Sequence, residues 1–334
     1  MRSTTTPLYD LSQADDAAVI VEENLNLAVE IDHGLSADLK FISSKFLYDD
    51  TGSSIFRKIM QMKEYYPTAC EFEILSLQSA QIIDSLNFGR PFNIVEFGAG
   101  DGIKTRQLLK KLLETGIDFT YVPIDISEQA LADLQENMIE ALPELKMKPL
   151  AGDYFSMFHA ISDAATPNLF LFLGSNIGNY PAEAASELLS SFYAAMSSGD
   201  KLLIGFDLQK NPKVIRNAYD DPHGITKAFN LNLLTRINRE LQANFQVSQF
   251  DFYCHYDPIS GEVKSYLVSL VAQKVWIQAL GKEFSFQQNE LIWTELSQKY
   301  TFEQINSLAK ENGFIVNHNF LDCRHYFTDS LWEK

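Results

Sequence analysis

The spacing of apolar and polar residues predicts an alternation of strands and helices through the middle of the chain. Short apolar runs such as PFNIVEF (91–97) are followed by segments such as IKTRQLLKKLLE (103–114), whose apolar residues recur every three or four positions. The same alternation continues through TYVPIDIS, KMKPLAGDYF, FLFLGSNIGNY and DKLLIGFDLQ. Strands that alternate with helices in this way are typical of a doubly wound α/β domain with a mainly parallel sheet.

The pattern differs on both sides of this region and predicts a second domain. Residues from about 14 to 66 and from 211 to 246 have mainly helical spacing, whereas QFDFYCHY and EVKSYLVSLVAQKVWI alternate like antiparallel strands. The helix TFEQINSLAKENG, with Gly313 as its stop, and two aromatic-rich strands then close the chain. We predict an α/β domain over 67–209 and 299–334, and a second, α+β domain built from the N-terminal segment and an insertion, over 10–66 and 210–298.

Composition narrows the classes of partner. Lys and Arg number 27 against 44 Asp and Glu, which gives a formal net charge of −17, and no basic run is present. Nucleic-acid binding needs clustered cations, so no nucleic-acid partner is predicted. No apolar run approaches the ~18 residues of a membrane span, and MRSTTTPLYDLSQADD lacks the apolar core of a signal peptide. We therefore expect a cytoplasmic protein without a membrane partner, and a monomer because no heptad pattern is visible.

The cysteines and histidines give no metal signature. The three cysteines, Cys70, Cys254 and Cys323, are widely spaced and odd in number, which argues against a disulfide framework or a zinc site. His255 and His325 lie among aromatic residues without metal-ligand spacing. No metal is predicted.

Small and acidic residues follow successive predicted strands. Gly98, Gly100 and Gly102 separate the first strand from its helix, which lets the backbone approach a ligand closely. Asp125 ends the next strand, where a carboxylate can bind two ribose hydroxyls, and Asp153 and Tyr154 follow the third. Each acid alone would more often form a turn or cap a helix. Together with the glycine loop they favour a ligand that contains adenosine.

The order of the glycines favours one such ligand. A dinucleotide fingerprint would be G-x-G-x-x-G, whereas this chain has G-A-G-D-G with Glu96 two residues before the first glycine. The E-x-G-x-G order resembles S-adenosylmethionine-dependent methyltransferases of the Rossmann-like class. The ligand's sulfonium and ammonium groups are cationic, so the acidic composition is compatible with it.

Longer stretches resemble one family, the histidine Nα-methyltransferases of ergothioneine biosynthesis. The stretches cover nearly the whole chain in order, and it is their combination that is specific: FLYDDTGSSIFRKI (46–59), MKEYYPTACEFEIL (62–75), FLGSNIGN (172–179), AYDDPHGITKAFNLNLLTRINREL (218–241) and WTELSQKY (293–300). The resemblance implies a Rossmann-like methyltransferase domain with a separate substrate domain. It also implies successive methylation of L-histidine to its trimethylbetaine, hercynine, with S-adenosyl-L-methionine as the methyl donor.

The resemblance also implies roles for individual residues. The implied cofactor residues are Tyr48, Gly98, Lys104, Asp125, Asp153 and Tyr154. The implied substrate residues are Asn179 and Tyr219 for the α-carboxylate, Gly174 and Asn176 near the amine, and Tyr65, Glu295 and Ser297 for the imidazole. Tyr48, Asn179 and Tyr219 are the candidate catalytic residues.

Two positions depart from the family pattern and define an alternative substrate. The family commonly has Thr where this chain has Asn176, and a Met where it has Ser265. Either the two changes reshape the pocket toward another aromatic amino acid, such as tryptophan, or they alter how many methyl groups are added, whereas Glu295 and Ser297 favour histidine. Outside this family, a nicotinamide-dependent oxidoreductase would need the dinucleotide spacing, and a silent binding module would be expected to lack some of these pocket residues.

Overall fold

The computed structural model describes residues 25–152 and 166–334, and its strands largely follow the predicted apolar runs. One segment differs, because EVKSYLVSLVAQKVWI is divided by a bend at 270–272 into two strands that belong to different sheets. In chain order the strands are β1 (Phe92–Phe97), β2 (Phe119–Asp125), β3 (Leu150–Ala151), β4 (Asn168–Phe172), β5 (Lys201–Asp207), β6 (Phe250–Tyr256), β7 (Glu262–Ser269), β8 (Gln273–Ile277), β9 (Lys282–Phe286), β10 (Leu291–Gln298), β11 (Ile315–Leu321) and β12 (Phe327–Glu333).

The helices begin and end at residues whose chemistry explains the boundary. The Ser127 side chain accepts a hydrogen bond from the Ala130 N–H, and Thr301 forms a capping box with Gln304. Gly313, with φ +87°, follows the helix that it was predicted to stop. The α-helices span 25–36, Asp50–Met60, Tyr66–Leu77, Ser79–Leu86, Thr105–Thr115, Glu128–Ala141, Ala182–Ala195, Pro212–Tyr219, Ile225–Leu241 and Phe302–Glu311, and short 3₁₀ turns span Ser44–Leu47, Asn176–Asn179, Val247–Gln249 and Gln278–Leu280.

The central sheet has seven strands among the described residues, in the order β11-β12-β5-β4-β1-β2-β3. The pairs β5–β4, β4–β1, β1–β2 and β2–β3 are parallel, while β12 is antiparallel to β5 and β11 to β12. The chain runs outward from β1 to β3 and then returns to β4, so the strand order reverses between β1 and β4. Ligands of open α/β sheets bind at the carboxyl ends of the strands beside such a switch point.

The middle of this sheet is buried on both faces. Every residue of β4 and of β5 is buried, as continuous apolar runs predict for a parallel strand covered on both sides. The Phe97 ring stacks on Phe170 and on Phe192, with centroid distances of 6.1 and 5.1 Å. Rigid packing below the loops fixes where the carboxyl ends of β1 and β4 emerge.

Two units of the chain are described separately. The first contains the described residues up to Ile59, together with Asp220–Cys254 and Lys264–Glu295, and the second contains Met60–Tyr219, His255–Val263 and Leu296–Lys334. Within the first unit, Thr294 Oγ1 donates to Asn230 Oδ1 at 2.7 Å, which joins the start of β10 to helix Ile225–Leu241. The remaining sheets have the orders β10-β7-β6 and β8-β9. No helix within 25–152 or 166–334 combines the length and the apolar character needed to cross a membrane.

Candidate active site

The glycine loop lies at the carboxyl end of β1, as predicted. Gly98, Gly100 and Gly102 have φ values of +65°, +57° and +66°, and the Gly98 N–H donates to the Ile124 carbonyl at 3.0 Å. A Cβ on Gly102 would lie 2.3 Å from Met138 Cε, so a side chain there would collide with helix Glu128–Ala141. The loop therefore passes close to the end of β2, and at Gly102 it packs against the helix so closely that no side chain fits.

Asp125 stands at the end of β2, beside the end of β3. It is half-buried, and its Oδ1 accepts from the Ser127 N–H at 3.0 Å, while its carbonyl accepts from the Gly152 N–H at 3.0 Å. Asp125 thus forms the turn that an acid at this place is expected to form, and this turn uses one of its two carboxylate oxygens. Asp153 and Tyr154 lie outside the described residues, so their predicted roles stay predictions.

An ion pair between half-buried Lys104 and buried Glu71 connects the start of helix Thr105–Thr115 with the loop after β4. Glu71, only 1% exposed, pairs with Lys104 Nζ through Oε2 and accepts from the Gly174 N–H through Oε1 at 2.7 Å. A Cβ placed on Gly174 would lie 3.6 Å from both Lys104 Nζ and Asn176 Nδ2. Burial lowers the pKa of Lys104, but Glu71, Glu96 and Asp329 together raise it above its usual value, so the ammonium stays charged. Three predicted residues, Lys104, Gly174 and Asn176, therefore lie together around Glu71.

The predicted hydroxyl residues meet in a second cluster. The Tyr219 hydroxyl and Ser297 Oγ are 3.0 Å apart, and the Tyr65 ring contacts the Tyr219 ring edge-on with centroids 5.9 Å apart. Lys299, which is fully buried, donates to both hydroxyls at 2.7 Å. The cluster thus contains a cation that sequence reasoning did not single out.

Asp207 at the end of β5 neutralises part of this positive charge. It is fully buried, lies 3.0 Å from Lys299 Nζ, pairs with Lys210 and accepts from the Tyr66 hydroxyl at 2.9 Å. Burial alone would raise the pKa of Asp207, but the ammonium groups of Lys299 and Lys210 hold it below its usual range. Burial lowers the pKa of Lys210 although Asp207 opposes that effect. Asp207 is therefore an ionised carboxylate between two lysines.

The loop after β4 packs against the same region. Ser175 Oγ accepts from the Asp207 N–H at 3.1 Å, and the Tyr300 hydroxyl donates to the Ile177 carbonyl at 3.3 Å. A Cβ on Gly178 would lie 2.8 Å from the Gln298 carbonyl oxygen, so the backbones approach closely there. Asn179, half-buried, follows this contact directly. The turn that carries Asn176 and Asn179 is therefore held beside the segment that carries Ser297 and Lys299.

The remaining predicted residues belong to the first unit. The Tyr48 ring is 41% exposed and packs edge-on against Phe56 and Phe229, with centroid distances of 5.3 and 5.4 Å. Ser265 is buried on β7, and Glu295 is half-buried on β10, where its carbonyl accepts from Trp293 Nε1 at 2.9 Å. Their roles toward a ligand remain predictions.

Comparison with known proteins identifies the family of this chain. The model of a family described as histidine-specific, S-adenosylmethionine-dependent methyltransferases matches residues 27–334. The chain belongs to this family.

Two relatives of this methyltransferase share one name, and the name of a third gives a different substrate. It is 32% identical to a "Histidine N-alpha-methyltransferase" of Mycolicibacterium smegmatis, over 98% of this chain and 99% of the relative. It is 33% identical to one of Mycobacterium tuberculosis, over 83% and 85%. It is also 24% identical to an "L-tryptophan methyltransferase" of Psilocybe serbica, over 84% and 85%.

A buried acid beside Glu71 was missed by sequence reasoning. Asp329 on β12 pairs in register with Gly205 of β5, and it has no side-chain hydrogen-bond partner within the described part of this methyltransferase. Burial first, and then the nearby Glu71, raise the pKa of Asp329 well above its usual value. A neutral carboxylic acid is therefore expected there.

Another group of acids, Glu73 and Asp322 with Cys323, lies close enough together to hold a metal ion. Backbone N–H groups already occupy these acids, because Cys323 donates to Glu73 and both Tyr326 and Phe327 donate to Asp322. These hydrogen bonds give Glu73 and Asp322 a structural role, which is to hold the turn that precedes β12.

Glu96, the acid of the E-x-G-x-G motif, has a structural role. It is buried and accepts hydrogen bonds from Thr105 Oγ1 and from the Tyr121 hydroxyl, which ties β1 and β2 to the start of helix Thr105–Thr115. Burial raises the pKa of Glu96 to about 7, although both hydrogen bonds oppose the shift. Glu96 thus fixes the position of the two elements on either side of the glycine loop, β1 and helix Thr105–Thr115.

This pKa predicts a pH effect on stability. A carboxyl group whose pKa is raised by folding contributes stability at low pH and loses it as the pH rises through the folded-state value. For Glu96 the window runs from its ordinary value of 4.5 to about 7. Relative to a Glu96→Gln variant, the wild type is expected to lose about 3 kcal/mol across this window. Urea unfolding of both proteins from pH 5 to pH 8 measures the difference, and parallel curves would contradict the assignment.

Proposed function

We propose that this chain is an S-adenosyl-L-methionine-dependent histidine Nα-methyltransferase. It would methylate L-histidine successively to N,N,N-trimethylhistidine (hercynine), the first step of ergothioneine biosynthesis. The observation that carries the proposal is the assembly of Lys104, Gly174, Asn176 and the Tyr219–Ser297 hydroxyl pair around the carboxyl ends of the central strands. A chain of the histidine-specific family with this assembly has the parts that an amino-acid N-methyltransferase needs.

The residues present fit the methyl donor. The loop with Gly98 offers open backbone, since a Cβ on Gly100 would meet no atom within 4 Å, and Asp125 keeps a carboxylate oxygen beyond its turn for the ribose hydroxyls. The charged Lys104 suits the donor's carboxylate. Asp153 and Tyr154 are proposed for the adenine, and Tyr48 completes the proposed set. The bound donor supplies an electrophilic methyl group on a sulfonium.

The substrate roles follow from hydrogen-bond chemistry. Asn179 and Tyr219 are proposed to hold the α-carboxylate, because neutral amide and phenol groups donate to it without adding a charge beside the methyl donor. Tyr65, Glu295 and Ser297 are proposed for the imidazole, whose N–H groups suit a carboxylate and a hydroxyl. Methyl transfer to a neutral amine needs alignment more than it needs an activated nucleophile. Gly174 and Asn176 are accordingly proposed to line the reacting amine.

The broader organisation is part of the proposal. Residues 67–209 and 299–334 would form the cofactor-binding domain, and 10–66 with 210–298 the substrate-binding domain. The enzyme would be a cytoplasmic monomer with no nucleic-acid or membrane partner, which agrees with the net charge of −17. Light scattering with and without histidine would test the monomer.

Mass spectrometry tests the activity directly. The protein is incubated with S-adenosylmethionine and an equimolar mixture of the free amino acids, and histidine is expected to gain three methyl groups in steps. A parallel reaction that contains S-adenosylhomocysteine in place of the donor should leave every amino acid unmodified. Methylation of a different amino acid alone would rule out the histidine assignment.

A second candidate substrate is tryptophan or a similar aromatic amino acid. Asn176 and Ser265, which replace the family's usual Thr and Met, are the observations that favour it. The indole offers a single N–H donor and more apolar surface, so Glu295 would suit it poorly. The same mixture of amino acids distinguishes the two substrates.

Replacing Glu295 tests the imidazole assignment. Glu295→Ala is expected to weaken histidine binding by about 1.5–3 kcal/mol, the range for a lost hydrogen bond to a charged group. Calorimetry measures the change, and S-adenosylhomocysteine binding reports whether the fold is kept. Glu283→Ala, which removes an exposed glutamate of the same unit, is the control and should bind histidine like the wild type. Unchanged histidine affinity in Glu295→Ala would show that Glu295 does not anchor the ring.

A further inference from the structure

Lys299 is a fully buried cation with a complete set of acceptors. An ammonium has three N–H donors. Those of Lys299 have three acceptors, Asp207 Oδ2 at 3.0 Å and the hydroxyl oxygens of Tyr219 and Ser297 at 2.7 Å each. The ammonium also lies 4.3 Å from the centre of the Tyr219 ring. Lys299 therefore contacts two residues proposed to bind the substrate.

The backbone holds Lys299 in this place from two sides. Its N–H donates to the Gly261 carbonyl at 2.8 Å, and the N–H of the next residue, Tyr300, donates to the Asp207 carbonyl at 2.9 Å. The Tyr300 carbonyl in turn accepts from the Gln209 N–H at 2.8 Å. The segment after β10 thus runs alongside the end of β5, and the position of the ammonium follows from main-chain bonds.

The direction of these hydrogen bonds has a chemical consequence. An ammonium only donates, so the oxygens of Tyr219 and Ser297 act as acceptors toward Lys299. The two hydroxyls also share one hydrogen bond at 3.0 Å, and when Ser297 donates in it the Tyr219 proton is directed to another acceptor. A hydroxyl that accepts from a cation is a stronger donor in its turn, because hydrogen bonds in a chain polarise one another. Lys299 therefore prepares the Tyr219 hydroxyl to donate to an anion.

The local charge favours the same kind of ligand. Lys210 and Lys299 both contact Asp207, so two ammonium groups share one carboxylate in the interior of the second unit. The three groups together carry a net positive charge, and a positive site with little water attracts an anionic group strongly. A substrate carboxylate at Tyr219 would meet both this charge and an oriented donor.

We propose that Lys299 is a positioning residue for substrate recognition, which orients the Tyr219 hydroxyl and supplies the positive charge that selects an amino acid with a free α-carboxylate. The inference rests on the proposed function, since it concerns the same substrate. It adds a determinant of specificity that does not itself contact the reacting atoms.

The test compares binding of histidine with binding of histamine, which has the same imidazole and amine but no carboxylate. The wild type is expected to prefer histidine, and Lys299→Met is expected to reduce that preference by about 10-fold or more, the factor for a lost charge-assisted interaction. The ratio of the two affinities removes any effect on the imidazole contact through Ser297. Lys299→Arg keeps the charge and donors and should retain more of the preference than Lys299→Met.

Lys201→Met is the matched control. Lys201 is also buried and ion-paired, with Glu333 at 2.6 Å, but it begins β5, whereas Asp207 ends that strand. The preference of the Lys201→Met variant for histidine over histamine should equal that of the wild type. Lys299→Met leaves Asp207 paired with Lys210, so the fold should persist, and S-adenosylhomocysteine binding verifies this.

The outcomes separate the two proposals. A wild type that binds no histidine contradicts the proposed function. A wild type that binds histidine and histamine equally overturns the role of Lys299 alone. The same role is overturned if Lys299→Met and Lys299→Arg both bind S-adenosylhomocysteine normally and both keep the full wild-type preference for histidine.

Discussion

Asp207→Asn is expected to lower the free energy of unfolding by about 3–5 kcal/mol, because it leaves two buried ammonium groups without their carboxylate. Lys299 and Lys210 contact Asp207 in the wild type, and both lysine side chains are almost completely shielded from water. The asparagine has nearly the same shape, so the change is mainly one of charge. Equilibrium unfolding in urea at pH 7 measures the loss.

The pH dependence of this loss gives a second check. Without Asp207 the main group that opposes the effect of burial on Lys210 is gone, so the pKa of Lys210 in the folded protein should fall further below its value in the unfolded chain. A group with a depressed folded-state pKa removes stability as the pH falls, so the deficit of Asp207→Asn should shrink between pH 7 and pH 10. Glu283→Gln, which breaks the exposed Lys274–Glu283 pair, should change stability by under ~1 kcal/mol. A similar small change in Asp207→Asn would contradict the buried network.

Gly261→Ala is expected to lower stability by about 2–4 kcal/mol and to weaken histidine binding as well. Gly261 has φ +79°, and a Cβ there would lie 2.3 Å from the Lys299 carbonyl oxygen. The alanine therefore combines an unfavourable backbone conformation with a collision against main chain, which has to move. Because Gly261 also accepts from the Lys299 N–H, that movement displaces the ammonium from Tyr219. Urea unfolding and calorimetry with histidine measure the two effects.

Gly199→Ala isolates the conformational part of that cost. Gly199 has φ +88°, and a Cβ there would meet no atom within 4 Å. Its cost should be about 1–2 kcal/mol with histidine affinity unchanged. Equal stability of the two variants would show that the segment near Lys299 accommodates a side chain at Gly261.

Sequence reasoning was most successful for the positions of short segments within the fold. The glycine loop after β1, Asp125 at the end of β2 and the Gly174–Asn179 turn after β4 all lie at strand ends, where alternating apolar runs placed them. The segment that became β7 and β8 shows the limit of the same method, because its apolar pattern continues through the bend at 270–272. The period of a pattern identifies a strand but not the sheet to which each part belongs.

Buried charges were the residues most often missed. Glu71 lies in a helix and Lys299 directly follows a strand, and a charged residue in either place is usually solvated. Asp329 lies in β12, far along the chain from the Lys104 and Glu71 that surround it. No local signal distinguishes these residues from surface charges, since their partners come from distant segments.

Local residue patterns were thus sufficient for the class of fold, the position of the glycine loop and the family, because spacing, turn chemistry and motif order are properties of neighbouring residues. The charge network of Asp207, Lys210 and Lys299 depended on the folded chain, which brings the end of β5 alongside the segment after β10. Burial also depended on it, and burial is what turns Glu96 and Asp329 into acids with raised pKa values. Electrostatic behaviour follows from the distance to other charges and to water, and only folding sets those distances.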